Sequence, residues 1–594
     1  MHGVDAGGLL VDSGKVWLDN FTPLLDGKPF TDADFLKIAP AELDKNFDQS
    51  SNINIPNVND FTTAKLVLLG KIWGFLKYHH PAITSGNYNW DYELFRILPK
   101  LLDARNIQQR DLIFITWIES LGEINPCVNC HKTSQNAFLK PDLSWVTNSE
   151  LSKKLEGSLL YIYTNRSQVN QYYIGPGLVG NPKFKNENSY EHMAYPDNGF
   201  RLLALYRYWN MIHYFFPYKY LTDKDWNSIL TQYIPQFVHA KNELEYEVAT
   251  LKLIGEINDT HANLWQGGDK IESAKGDYYP PVLTRIIEQK LVVTDFYTFS
   301  ISENEQMSHK VGLKMGDIIV AINGETVEEL IQQQLPFYPA SNNVIKLRNI
   351  ALNLLRSTDN SVVVEYLRDG QKHDLQLSLF KKDKLDYYLG FRKHSNESSY
   401  KVLDNDIGYI TLENIQSSDI EKIKTELKDT KGIVIDIRNY PSTFVVYSLG
   451  SFFMTESTPF TKITKANFNN PGEFTFLPPL EISGSTNPYT GKIVVLVNEF
   501  SISQSEFTAM AFKAAKNTII IGSTTAGADG NVSGITLPGG LTTSISGTGV
   551  YYPDGTETQR VGIVPDIFIT PTIEGIKLGK DELLEKAIEE INRH

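Results

Sequence analysis

The chain has 594 residues, of which 41% are hydrophobic, 11% aromatic and 21% charged. That is a globular composition with length for about four domains of ordinary size. Its 56 Lys and Arg against 70 Asp and Glu give a net charge of −14, which argues against the basic face that nucleic-acid binding requires. No run approaches the ~18 apolar residues of a bilayer span, so a protein that does not cross a membrane is expected.

The N-terminus, MHGVDAGGLLVDSGKVW, lacks the basic start and apolar core of a signal peptide. Either the protein stays inside the cell, or a targeting segment was removed and replaced by an initiating Met. Residues 1–60, rich in Asp, Asn and Pro, show no sustained period and read as an irregular N-terminal segment. A duplication follows over 61–275. KIWGFLKYHHP at 71–81 is echoed by RYWNMIHYFFP at 207–217, and NWDYELFRILPKLLDA at 89–104 by DWNSILTQYIPQFVHA at 225–240. Apolar residues recur at helical spacing in both copies, about 61–131 and 197–265, so the repeated unit is helical.

The first copy ends in PCVNCHKT, which contains both cysteines of the chain, Cys127 and Cys130. The spacing followed by His131 matches a haem-attachment pattern, but the polar flanks offer no enclosing pocket. A local disulfide and half of a small metal site stand ahead of it. The second copy ends in Asp259, Thr260 and His261. Residues 141–200, polar and Asn-rich, read as a connector with little core of its own.

After Gly276 the pattern turns to strands. GLKMGDIIVAING, followed by a short helix, resembles a PDZ domain, so 278–385 is expected to be a PDZ-like β domain. Beyond it IGYITL, KGIVIDIRN, GKIVVLVN and NTIIIG are short β-branched runs with helical stretches between them, which predicts an α/β layer arrangement over 386–594.

Within that region NEFSISQSE, residues 498–506, sets three serines at alternate positions where a strand hands over to a helix. Ser503 with Glu506 fits a capping box, and the same helix start offers free N–H groups to an oxyanion. Taken with GSTTAGADG at 522–530 and YYPDGTETQRVGIVPDI at 551–567, the segment resembles the S41 peptidases, the tail-specific processing proteases and the tricorn core. The resemblance runs from about residue 60 to the end.

The resemblance implies a crotonase-like (ClpP-like) α/β catalytic domain, hence an α/β multidomain protein with a PDZ-like domain and a duplicated helical region. It implies a serine endopeptidase acting on polypeptides near their C-termini, through an acyl-enzyme and without metal or organic cofactor. An envelope or periplasmic location is the matching expectation, with the cytoplasm left open. Ser503 takes the nucleophile position, and Ser501 and Ser505 are left as turn and cap residues. Ala528 stands where the Ser-Lys branch has its lysine, so the base falls to His261, with Thr260 beside it. Gln559 occupies the position of the ring-orienting Glu, which moves that role to Glu557. The oxyanion hole is expected from the N–H groups of Gln504 and Ser442, the latter in NYPST where the family has Gly-rich sequence. A peptide-binding protein with a decayed site is the alternative.

Overall fold

The computed structural model describes residues 38–298, 311–388 and 397–593, apart from 149 and 170, together with 24–25, 28–29 and 390. Most of the N-terminal segment expected to be irregular therefore lies outside the described residues.

Six helices carry the duplication. Asp60–His79, Trp90–Leu102 and Ile107–Ser120 are matched in order by Asn198–Phe215, Trp226–His239 and Glu243–Gly255. Each begins at an Asn or Asp (Asn59, Asn89, Asn106, Asp197, Asp225, Asn242) whose side chain accepts a backbone N–H of the first turn, satisfying a donor the helix cannot. In the first copy the Trp73 indole donates to the Trp90 carbonyl at 2.9 Å and the Trp90 indole to the Trp73 carbonyl at 2.8 Å. Trp209 and Trp226 repeat the exchange at 2.8 and 3.0 Å. The recurring tryptophans thus clamp the first two helices of each copy. Arg207, wholly buried, pairs with Asp91 and ties the copies together.

The connector differs from expectation. It contains the helix Lys153–Thr164, whose Leu155, Leu159 and Ile162 are fully buried in the helical core. The Asn-rich flanks hide this apolar face.

An antiparallel sheet follows in the order Gln371–Ser378, Ser361–Arg368, Ile318–Ile322, Lys290–Phe296, Val282–Ile287. It has its own core around Val282, Leu291, Leu313 and Val364. The final region centres on a six-stranded sheet, in which Tyr400–Leu403 pairs antiparallel with Ile407–Thr411. Gly432–Asp436, Lys492–Val497, Thr518–Gly522 and Ile567–Phe568 then follow in parallel. Helices on both faces bury the central strands, and Ile493 to Val497 are inaccessible throughout. The molecule is a mixed α/β multidomain protein. Among the described residues no helix is long and apolar enough to cross a membrane.

One excursion matters for the site. The hairpin Val532–Leu537 and Leu541–Ser546 leaves the α/β region and sinks Ile535, Leu537, Leu541 and Ile545 into the helical core. Its second strand bonds backbone to backbone with Trp265 and Gln266, just after His261.

Candidate active site

The three serines part company at the carboxyl end of the strand Lys492–Val497. Ser501 and Ser505 are inaccessible, and their hydroxyls donate to the carbonyls of Ile437 at 2.7 Å and Asn439 at 2.8 Å. Both are fasteners to the neighbouring strand end. Ser503 is partly exposed and adopts φ 56° and ψ −116°, a backbone conformation that non-glycine residues rarely hold and that persists only where surrounding contacts enforce it.

Those contacts come from Glu506 and the loop 525–528. The Ser503 N–H faces the Ala528 carbonyl at 3.1 Å and the Glu506 carboxylate at 3.2 Å. Glu506 also accepts from Gly527 N–H at 2.7 Å, Ala528 N–H at 3.1 Å and the Thr525 hydroxyl. Burial pushes the Glu506 carboxyl above its usual range, against the pull of these donors. Gly527 has φ 62°, and a Cβ there would lie 2.7 Å from the Arg560 carbonyl carbon, so the loop passes where only glycine fits. Ser503 thus begins the helix Gln504–Lys513, and the N–H of Gln504 has no acceptor among the described residues.

His261 approaches from the helical region. Thr260 donates its hydroxyl to the Ala526 carbonyl at 3.1 Å and accepts the Ser341 N–H at 2.9 Å. One four-residue loop therefore holds the histidine segment at Ala526 and the serine at Ala528. The imidazole is nearly buried. Its Nδ1 lies 2.8 Å from the Ser546 hydroxyl, which in turn donates to Asp259 at 3.0 Å. Asp259 is inaccessible and also accepts the N–H groups of Ser546 at 2.7 Å and His261 at 3.0 Å. With Nδ1 protonated and facing Ser546, Nε2 carries the lone pair and has no partner among the described residues. Burial lowers the His261 pKa, partly offset by the charge of Asp259, so the ring is neutral and able to take a proton at neutral pH.

Three site expectations need correction. Glu557 accepts the Tyr220 hydroxyl at 2.7 Å, and among the described residues no hydrogen bond joins it to His261; Ser546 and Asp259 occupy the Nδ1 side instead. Thr260 fastens the backbone rather than the ring. The Ser442 N–H is spent on the Leu412 carbonyl at 2.9 Å, because the Ser442 and Thr443 hydroxyls fold this loop back onto the carbonyl of Ile415. Among the described residues the N–H groups of Thr443 and Phe444 have no acceptor. Gln559 is buried, with both amide heteroatoms unpartnered. Sequence reasoning missed Asp259 and Ser546 as a pair. Asp259 carried a signal, two residues before His261, whereas Ser546 sits in LTTSIS, whose serines and threonines look like one polar strand face.

Away from the site, Cys127 and Cys130 form a disulfide with Cα atoms 5.5 Å apart, which takes up both sulfurs. His131 bonds the buried Glu473 at 3.0 Å.

A strained serine at a strand-to-helix turn, with a histidine segment tied to the same loop, is an arrangement suited to a serine hydrolase. Residues 406–569 match the model of peptidase family S41, so this region is an S41 peptidase domain. Among solved structures, mature CPAF bound to lactacystin is 16% identical with a TM-score of 0.52, covering 67% of this chain and 99% of that one. A second structure of mature CPAF is 14% identical, with a TM-score of 0.51 over 67% and 98%. A putative peptidase from Parabacteroides merdae is 17% identical, with a TM-score of 0.40 over 66% and 96%. At such identities the likeness is one of fold. No curated protein matches the chain.

Proposed function

We propose that the protein is an endopeptidase that cleaves polypeptides through an acyl-enzyme on Ser503. The Ser503 Oγ attacks the carbonyl carbon and its proton passes to His261 Nε2. The same proton goes to the leaving amine as the C–N bond breaks, and water then repeats the sequence to free the acid. Ser546 and Asp259 hold the imidazole and stabilise its protonated form. The N–H of Gln504, with one from Thr443 or Phe444, receives the developing oxyanion at the positive end of the helix. The observation that carries this reading is that, of three adjacent serines, only Ser503 reaches the surface, in a strained conformation fixed by the loop that also holds the His261 segment.

The β domain at 278–385 is read as PDZ-like, taking the extended C-terminal tail of a substrate as an added strand and so favouring cleavage near C-termini. The Cys127–Cys130 disulfide supports an oxidising, envelope location. A fluorophosphonate probe tests the core of the proposal. Wild type should label and lose labelling in Ser503→Ala, while Ser501→Ala, if folded, still labels. A folded wild type that never labels would instead be the decayed peptide-binding protein.

A further inference from the structure

Four aromatic rings close on one another beside Ser503. Phe507 donates its N–H to the Ser503 carbonyl at 2.9 Å, so its side chain stands one helical turn from the nucleophile. Its ring lies 6.3 Å from that of Phe444, nearly parallel, and edge-on to Phe460 at 5.2 Å. Tyr447 completes the circuit, 6.0 Å from Phe444 and 6.2 Å from Phe460. Phe460 is buried and forms the floor, continuous with the core of the α/β region. Phe444 and Tyr447 form the rim and remain 52% and 44% exposed.

Large aromatic side chains left half in water on adjoining positions are unusual unless something covers them. Their location says what does. Phe444 follows Ser442 and Thr443, so the rim begins on the loop whose free N–H groups face the oxyanion, and Phe507 hangs from the helix whose first N–H is the other donor. A side chain on the residue that supplies the attacked carbonyl branches one bond from the reacting carbon, beside the helix and the loop that carry these rings. No charged group belongs to the circuit of four rings, and the Tyr447 hydroxyl makes no hydrogen bond among the described residues.

We infer that Phe444, Tyr447, Phe460 and Phe507 form the specificity pocket for a large apolar or aromatic side chain on the acyl side of the cleaved bond. This rests on Ser503 being the nucleophile. The pocket selects peptides by burial of apolar surface and ring contact, for which one methylene alone is worth roughly 10-fold or more in kcat/KM.

The test is a series of quenched peptides identical except for one residue, Phe, Leu, Ala or Asp, with the cut bond located by mass spectrometry. Wild type should cleave after the varied residue, and kcat/KM for Phe should exceed that for Ala by at least ~10-fold. In the Phe444→Ala/Tyr447→Ala double variant the Phe-to-Ala ratio should collapse to within about threefold. That ratio is internal, so a general loss of activity cancels. Tyr447→Phe should keep the ratio, since the ring and not the hydroxyl is used. A wild-type ratio near one, an unchanged ratio in the double variant, or selectivity for the residue on the leaving side would each overturn the pocket. If the fluorophosphonate labels Ser503 and yet no apolar preference appears, the pocket alone falls. If nothing labels and no peptide is cut, the nucleophile falls with it.

Discussion

Ser546 and Asp259 stand behind His261 as a carboxylate acting through a hydroxyl, and the consequences can be separated from those of Glu557. Ser546→Ala removes the acceptor at Nδ1 and leaves a buried ring free to turn or to place its proton on the wrong nitrogen. We expect kcat to fall by on the order of 10²-fold, as for loss of an oriented acid–base group. Glu557→Gln, which alters only a bond to Tyr220, should change kcat by less than about threefold. The pH profile adds a second reading. Because burial depresses the His261 pKa, activity should rise through a midpoint below the ordinary 6.5. Asp259→Asn, which removes the charge that raises this pKa, should move the midpoint lower still while slowing turnover. A midpoint above 6.5 in wild type, or Glu557→Gln slower than Ser546→Ala, would return the orienting role to Glu557. The part played by Ser546 was not legible in the chain, because it meets His261 only through the hairpin that crosses between regions, 285 residues later. Moving the role from Gln559 to Glu557 kept it within one segment and did not say what faces the imidazole.

At the scale of elements the sequence was far more informative. Trp73, Trp90, Trp209 and Trp226 recur in step because each makes the same reciprocal bond, so the duplication could be read from the residues that build it. The strands of the parallel sheet were visible as β-branched runs because burial on both faces leaves no polar positions. The connector helix was not, since its apolar residues sit in an Asn-rich frame. The oxyanion loop failed for another reason: NYPST marks the right turn, but which N–H stays free depends on where two hydroxyls fold it. The indole clamps make a test of the duplication as architecture. Trp73→Phe and Trp209→Phe each delete one N–H donor to a carbonyl that keeps its own helix bond, a loss of about 0.5–1.5 kcal/mol per site. Urea unfolding should show similar destabilisation in the two copies. If only the first-copy variant is destabilised, the second copy draws its stability from the hairpin and not from its clamp.

Across the whole molecule, the duplicated region brings an acid sensitivity that the α/β region opposes. Burial lowers His79 to about 3 and His80 to about 4, and holds His213 well below its usual value. Each is neutral in the fold but charges once released. On acidification the unfolded chain therefore binds more protons, and stability is lost as pH falls from the unfolded value near 6.5 toward the folded ones. Glu506 and Asp529 run the other way. Burial raises both, with the Glu506 charge adding to Asp529, so the fold binds more protons than the unfolded chain above the ordinary carboxylate range. Their contribution declines as pH rises through that range. The two groups oppose each other, and the histidine side can be tested because the second copy carries Phe215 and Phe216 where the first has His79 and His80. His79→Phe/His80→Phe borrows a packing the fold already uses and removes two of the buried histidines that must charge. Its Tm should fall less than that of wild type between pH 6.5 and 4, with the two converging above pH 7.5, where the histidines are neutral in both states. Parallel Tm curves through the acid range would show that these buried imidazoles do not set the acid limit.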